Sequence, residues 1–414
     1  MPRKISRDVT VMRELAKEYA EVCDPSTQDA RRDLWRRLNS LESVRPLFNL
    51  RFGDWNHWCK EEFEPRLRCE DPFFRRHELR LRLRLFHATL GDDAVFEPWI
   101  AQAATRVFPK GSPWGVEAKR TPSPESGGAC RLDPPIKDPQ DIRKLAKPHH
   151  VIDEEKTARD VGRLQDAIGD ILTVCVDRAP GVAMDLSTDL AQLRGLEQIM
   201  YDMIDNPDWL HELLSFMQRG VLDVHEEAEK AGDWRMINSY NQSMPYGGGL
   251  ADPSADGVPG GRNRLWCHMS AQELTWVSPA MHEEFMLRYQ APIAGKFGLS
   301  AYGCCEDLTA KIDMLRRLPN LRSIAVAPRA DLRRCVEQIG GDYVISWRPN
   351  PAEMVCCGAS EDHVRKVIRD GLEATRGCHV AIVLKDVETV DGHPERLADW
   401  ARTVREIIER QSGA

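Results

Sequence analysis

Long apolar runs are the first thing this sequence lacks. No stretch of its 414 residues approaches the roughly 20 consecutive apolar positions that cross a bilayer. The N-terminus, "MPRKISRDVTVMRELAKEYA", has no continuous apolar segment of the secretory kind. A cytoplasmic protein without a membrane partner is therefore expected. Basic excess is lacking too: 57 Lys+Arg against 65 Asp+Glu give a formal net charge of -8. That balance favours solubility and sets nucleic acid aside as a partner. No GxGxxG follows the first predicted strand, which weakens a dinucleotide fold. Phosphate-loop patterns, low-complexity tracts and short-period repeats are absent as well. Twelve cysteines are too sparse for a small disulfide scaffold, and a reducing cytosol keeps them as thiols, some structural and some available to metal.

What is present is ordinary globular material, 42% hydrophobic and 29% charged. The first hundred residues carry helical periodicity in "SRDVTVMRELAKEYAEVC" and "TQDARRDLWRRLNSLESV", the second with Thr27 as candidate cap. "PFFRRHELRLRLRLFHATLG" alternates like a strand but is built of helix formers, and a helix is expected. Residues 108–139 are rich in Pro, Gly and Ser and predict loops and short strands crossing the mouth of the C-terminal part of the chain.

From about residue 156 the pattern changes. "GDILTVCVD", "WRMINSY", "RLWCHMS", "LSAYG", "LRSIAVA", "DYVISWR" and "HVAIVLK" read as strands, separated for the most part by helices. Strand–helix alternation indicates a parallel sheet. The expected fold is a (βα)8 TIM-type barrel over 151–414, with one strand hidden near Trp276. Residues 1–150 form an N-terminal helical and loop extension over its mouth. An open doubly wound sheet is the alternative.

A barrel places its chemistry at the C-terminal ends of the strands. The ends hold Cys304, Cys305 and Glu306; His268 and Glu273; Arg348; and Lys385 and Asp386. A strand-end thiolate with an acid beside it suits zinc, which takes sulfur, nitrogen and oxygen and keeps one position open for catalysis. Cys304, Cys305, Glu306, Glu273 and His268 are thus candidate metal ligands. Adjacent residues on a strand face opposite ways, so one thiol with Glu306 or another strand end is the easier set. The alternative is that both cysteines are small packed residues. Arg348 and Lys385 are candidates to orient substrate and Asp386 to donate a proton, with rim salt bridges as the alternative. Asn241, Tyr302 and Trp55 are candidate substrate contacts. A glycine-rich loop, "MPYGGGLADPSADGVPGG", suits a lid or a docking surface.

The order of motifs from about residue 170 onward resembles the uroporphyrinogen decarboxylase-like superfamily. "SPAMHEEFMLRYQAPIAGKFGLSAYGCCEDLTAKIDML" is similar to its segment in which a Ser-Pro helix leads to a strand and a zinc-ligand turn. "ADLRRCVEQIGGDYVISWRPNPAEMV" and "VRKVIRDGLEATRG" are similar to its barrel-closing units, and "LWRRLNSLESVRPLF" to its non-decarboxylase branch. The "RQAGR"-type motif of the true decarboxylase is not found. Tyr302-Gly303-Cys304 stands where methylcobamide:coenzyme M methyltransferases have His-x-Cys, and "IVLKDVETV" supplies no late cysteine. The resemblance therefore implies the corrinoid-dependent branch that demethylates small methylated or methoxylated molecules. It implies zinc as cofactor, cobalamin or another corrinoid on a partner protein, and a small methylated substrate. A metal-free decarboxylase or lyase is the alternative, and a homodimer is a further expectation.

Overall fold

The computed structural model describes residues 6–124, 130–235, 237, 242–255, 261–356 and 358–412. Among these residues are ten strands: β1 (Leu47–Leu50), β2 (Trp99–Ala103), β3 (Lys119–Thr121), β4 (Arg131–Asp133), β5 (Thr173–Asp177), β6 (Trp266–Met269), β7 (Leu299–Tyr302), β8 (Leu321–Val326), β9 (Val344–Trp347) and β10 (His379–Leu384). Six form one parallel sheet in the order β1-β10-β9-β8-β7-β6, and β2 pairs in parallel with β5. β3 and β4 make a small antiparallel hairpin within the Pro/Gly-rich passage.

The strands of the six-stranded sheet form where they do because they are short, largely apolar runs able to bury both faces. All four residues of β1, β7 and β9 are buried, as a sheet covered by helices requires. Helices begin at recognisable stops. Ser6, Asp71, Ser278 and Asp331 each accept a backbone N–H in the first turn. The second helix is capped by Asp24 rather than Thr27, because Pro25 takes the first helical position and the Thr27 N–H donates to Asp24. The leucine–arginine stretch is a helix, Pro72–Ala88.

Eight parallel strands in two arcs are compatible with a TIM-like fold. The strands are distributed otherwise than expected, however. β1 and β2 both precede residue 150, so the helical N-terminal part also carries strands. "LFNL" is too short and too closely flanked by helical patterns to stand out as one. The hidden strand sought near Trp276 is a one-turn helix, Gln272–Leu274, with Trp276 exposed after it. The expected strand "WRMINSY" falls largely outside the described residues.

Among the described residues, no strand pairing joins β1 to β2 or β5 to β6. The first gap has a local cause. The outer edge of β1 is taken up by the Asp92–Asp93 loop: Leu50 N donates to Asp92 (2.8 Å), Phe48 N to Asp93 (3.1 Å), and Asp93 N to the Phe48 carbonyl (2.9 Å). These bonds satisfy an edge that β2 would otherwise complete.

Candidate functional site

The site grows from the turn after β7. Gly303 has φ +104°, and a Cβ there would lie 2.8 Å from both Ala325 Cβ and Leu308 Cδ1, so only glycine fits. Its N–H donates to the Met269 carbonyl of β6 (2.8 Å). Glu306 then pins the turn. One carboxylate oxygen accepts from Cys304 N (2.7 Å) and the other from Ala271 N (2.9 Å). Arg348, buried after β9, donates to the Cys304 carbonyl. With the backbone held from two sides, both thiols turn out to the rim.

There they meet the end of β10. Lys385 Nζ lies 3.2 Å from Cys304 Sγ, 3.6 Å from Cys305 Sγ and 2.8 Å from Asp386 Oδ2. The two sulfurs are 3.5 Å apart, and Cys305 Sγ is 3.3 Å from Asp386. Asp386 holds φ +56°, a conformation that asparagine and aspartate tolerate best among side-chain-bearing residues. Gln242 donates to Cys304 Sγ (3.3 Å) and accepts from Lys385 (3.3 Å).

The charges around the pair divide its protons. Cys304 is held well below the usual thiol range, first by the hydrogen bond from Cys305 and then by Lys385, Gln242 and Arg348. Cys305 is pushed up, because its proton is shared with the neighbouring thiolate and it is partly desolvated. One thiolate and one thiol result, with Cys304 as the anion. Burial presses the Arg348 and Arg51 guanidinium groups downward, while the negative charges of Cys304 and Asp386 oppose this.

Of the predicted residues, the fold brings together Cys304, Cys305, Lys385 and Asp386, with Arg348 directly behind them. The other expected ligands are employed elsewhere. His268 donates Nε2–H to the Gly303 carbonyl (3.2 Å), and burial pushes it down to about 3, so it is neutral. Glu306 is occupied by two backbone N–H groups. Glu273 accepts from Thr188 (2.9 Å), and its second oxygen is buried without a partner among the described residues. Among these residues no three His, Cys, Asp or Glu side chains close on a common cation position.

Tyr302 is also turned into the wall, where its hydroxyl bonds Gln290 (3.0 Å) and His282 (2.6 Å). Trp55 stands largely exposed on the loop after β1. Asn241 lies outside the described residues. Sequence reasoning missed its neighbour Gln242, in an unpatterned loop, and Arg51, which directly follows the unrecognised β1.

Under this rim, His268, Ser323, Ser346 and Arg348 line a chamber of about 10 Å³, space for about one water. The Arg348 Nε faces no hydrogen-bond partner among the described residues.

No family model matches the chain, and no curated protein matches it. Solved structures do. A methyltransferase from Methanosarcina mazei superposes with a TM-score of 0.52, covering 92% of this chain and 98% of that one at 13% identity. The likeness is one of fold.

Proposed function

We propose that the protein moves a methyl group between a small methylated substrate and a corrinoid carried by a partner protein. In this reading the two arcs belong to one (βα)8 ring of the uroporphyrinogen decarboxylase-like type. The observation that carries the reading is Cys304 Sγ held 3.2 Å from Lys385 Nζ at the rim. The named activity of the Methanosarcina mazei neighbour lends it support.

Zinc does not fit the residues as they stand. Three of its five expected ligands are engaged away from the thiols, and an ammonium already lies beside both sulfurs. No step is assigned to it.

The reaction needs a donor for the atom that loses the methyl group. As the methyl–heteroatom bond breaks, its electron pair stays on the heteroatom. A cation fixed in advance at hydrogen-bond distance lowers the barrier to that charge. Lys385 is so fixed, by Cys304, Cys305, Asp386 and Gln242. It gives its Nζ proton to the departing atom, and Asp386, half-exposed, returns one from solvent. Arg348 acts through the Cys304 carbonyl and is a positioning residue. The corrinoid supplies the nucleophile that takes the methyl group. Trp276, 82% exposed after β6, offers an apolar contact for the protein that carries it.

The test is anaerobic methyl transfer to free cob(I)alamin from a panel of methyl ethers, thioethers and methylamines. Methylcobalamin should form with at least one class, and K385M should slow it about 100-fold. Formation at the uncatalysed rate from every member overturns the proposal. A stoichiometric zinc that disappears in C304S overturns the metal-free centre.

A further inference from the structure

Between the loop that follows β1 and strand β2 lies a cavity of about 500 Å³. One wall is the Pro72–Ala88 helix, which presents His77, Arg80 and Arg84; another is the loop carrying Asp54 and Trp55. The same loop begins at Arg51, whose charge acts on Cys304 and Asp386, and is tied by Asn56 to the Val387 carbonyl (3.2 Å) beyond β10. The cavity and the thiol rim therefore share a single loop.

Most polar groups in the cavity are satisfied. Arg80 pairs with Asp54 (2.7 Å), His87 with Asp92 (2.8 Å), and Asp177 has Arg106 at 3.7 Å. Two are left with unused capacity. Arg84 donates to the Trp99 carbonyl (3.0 Å), lies over the Tyr19 ring and also engages the Tyr19 hydroxyl. Among the described residues it has no carboxylate partner.

His77 is 1% exposed, and its tautomer follows from its neighbours. Gln102 gives its amide N–H to the Ala103 carbonyl (2.9 Å), so its oxygen faces His77 and takes Nε2–H (3.0 Å). Nδ1 is left as a buried lone pair with no partner among the described residues. Burial and the nearby arginines push the ring down to about 4, so at neutral pH it stays an acceptor. A buried acceptor left unpaired is destabilising, a cost that a ligand donor would remove.

We propose that this cavity is the substrate chamber and takes a small carboxylate that also carries a hydroxyl or N–H donor, the carboxylate on Arg84 and the donor on His77. The two side chains leave the helix two turns apart, about 10 Å along its axis, so the two groups belong at opposite ends of the ligand. Phe52 and Trp55 suit a flat body between them. The assignment rests on the methyl-transfer reading only for the word substrate; the binding chemistry stands without it.

Calorimetric titration of the full chain tests it, with 4-hydroxycinnamate as probe beside cinnamate, which lacks the donor, and 4-hydroxycinnamyl alcohol, which lacks the charge. Wild type should bind 4-hydroxycinnamate about tenfold tighter than either. R84M should lose that advantage over the alcohol, and H77F the advantage over cinnamate. If H77F does not fold, the cinnamate comparison and R84M decide. Wild type that binds none of the three, or R84M that binds 4-hydroxycinnamate like wild type, overturns the proposal. Because binding is read without turnover, probe binding in a protein that transfers no methyl group leaves the chamber standing and removes the methyltransferase reading alone.

Discussion

Cys304 and Cys305 are neighbours in sequence with the same chemistry, yet the fold gives them opposite protonation. The cause is position relative to Lys385 and Gln242, both nearer to or bonded to Cys304 Sγ. Iodoacetamide labelling followed by peptide mass mapping should show Cys304 alkylated first, and at lower pH than an ordinary thiol. K385M should move that profile to higher pH. Cys175, buried and pushed up to about 12, serves as the internal unreactive thiol. That cysteines and a lysine sit at strand ends was legible in the sequence, because apolar runs ended there. That His268 and Glu306 would spend their polar atoms on backbone groups was not, since no residue pattern encodes a partner brought in by folding.

At the scale of the element, turns decide whether strand ends become a site. β7 and β10 are separated in the sheet by β8 and β9. Their side chains meet because the Gly303 turn presents Cys304 and Cys305 to Lys385 and Asp386 at the end of β10. G303A should cost about 2–4 kcal/mol, from a φ that L-residues avoid and a Cβ lodged against Ala325 and Leu308. An unfolding free energy from urea titration lowered by that amount, with the thiol-labelling order lost, is the expected result. Most strand and helix identities were readable from periodicity and caps. β1 was not: four residues carry too little pattern, and their strand character comes from pairing with a segment more than 300 residues away.

Across the whole molecule, two arcs must be held together where their strands do not pair. On the β5–β6 side this is done by side chains. Asp185, after β5, accepts from Ser270 of the β6 end (3.0 Å), and Gln290 bridges the carbonyls of both residues (2.6 and 2.8 Å). Burial pushes the Asp185 carboxyl up from 3.8 to about 7, with Glu273, Asp189 and Glu306 adding to it. The folded chain thus keeps a proton that the unfolded chain releases. This stabilisation is complete below pH 3.8 and disappears as pH rises through about 7. Denaturant midpoints of wild type should fall relative to D185N across that window and run parallel above it. The alternation of strands and helices announced a parallel α/β molecule. The gap between β1 and β2 was invisible, because it arises from two aspartates capping an edge. Biosynthesis meets the same sheet in another way, since among the described residues β1 pairs with β10 alone. A nascent chain emerging from the ribosome therefore carries an unsatisfied β1 edge until β10, more than 300 residues later, has been translated. Stalled or prematurely terminated products would present that edge to one another and call on chaperones.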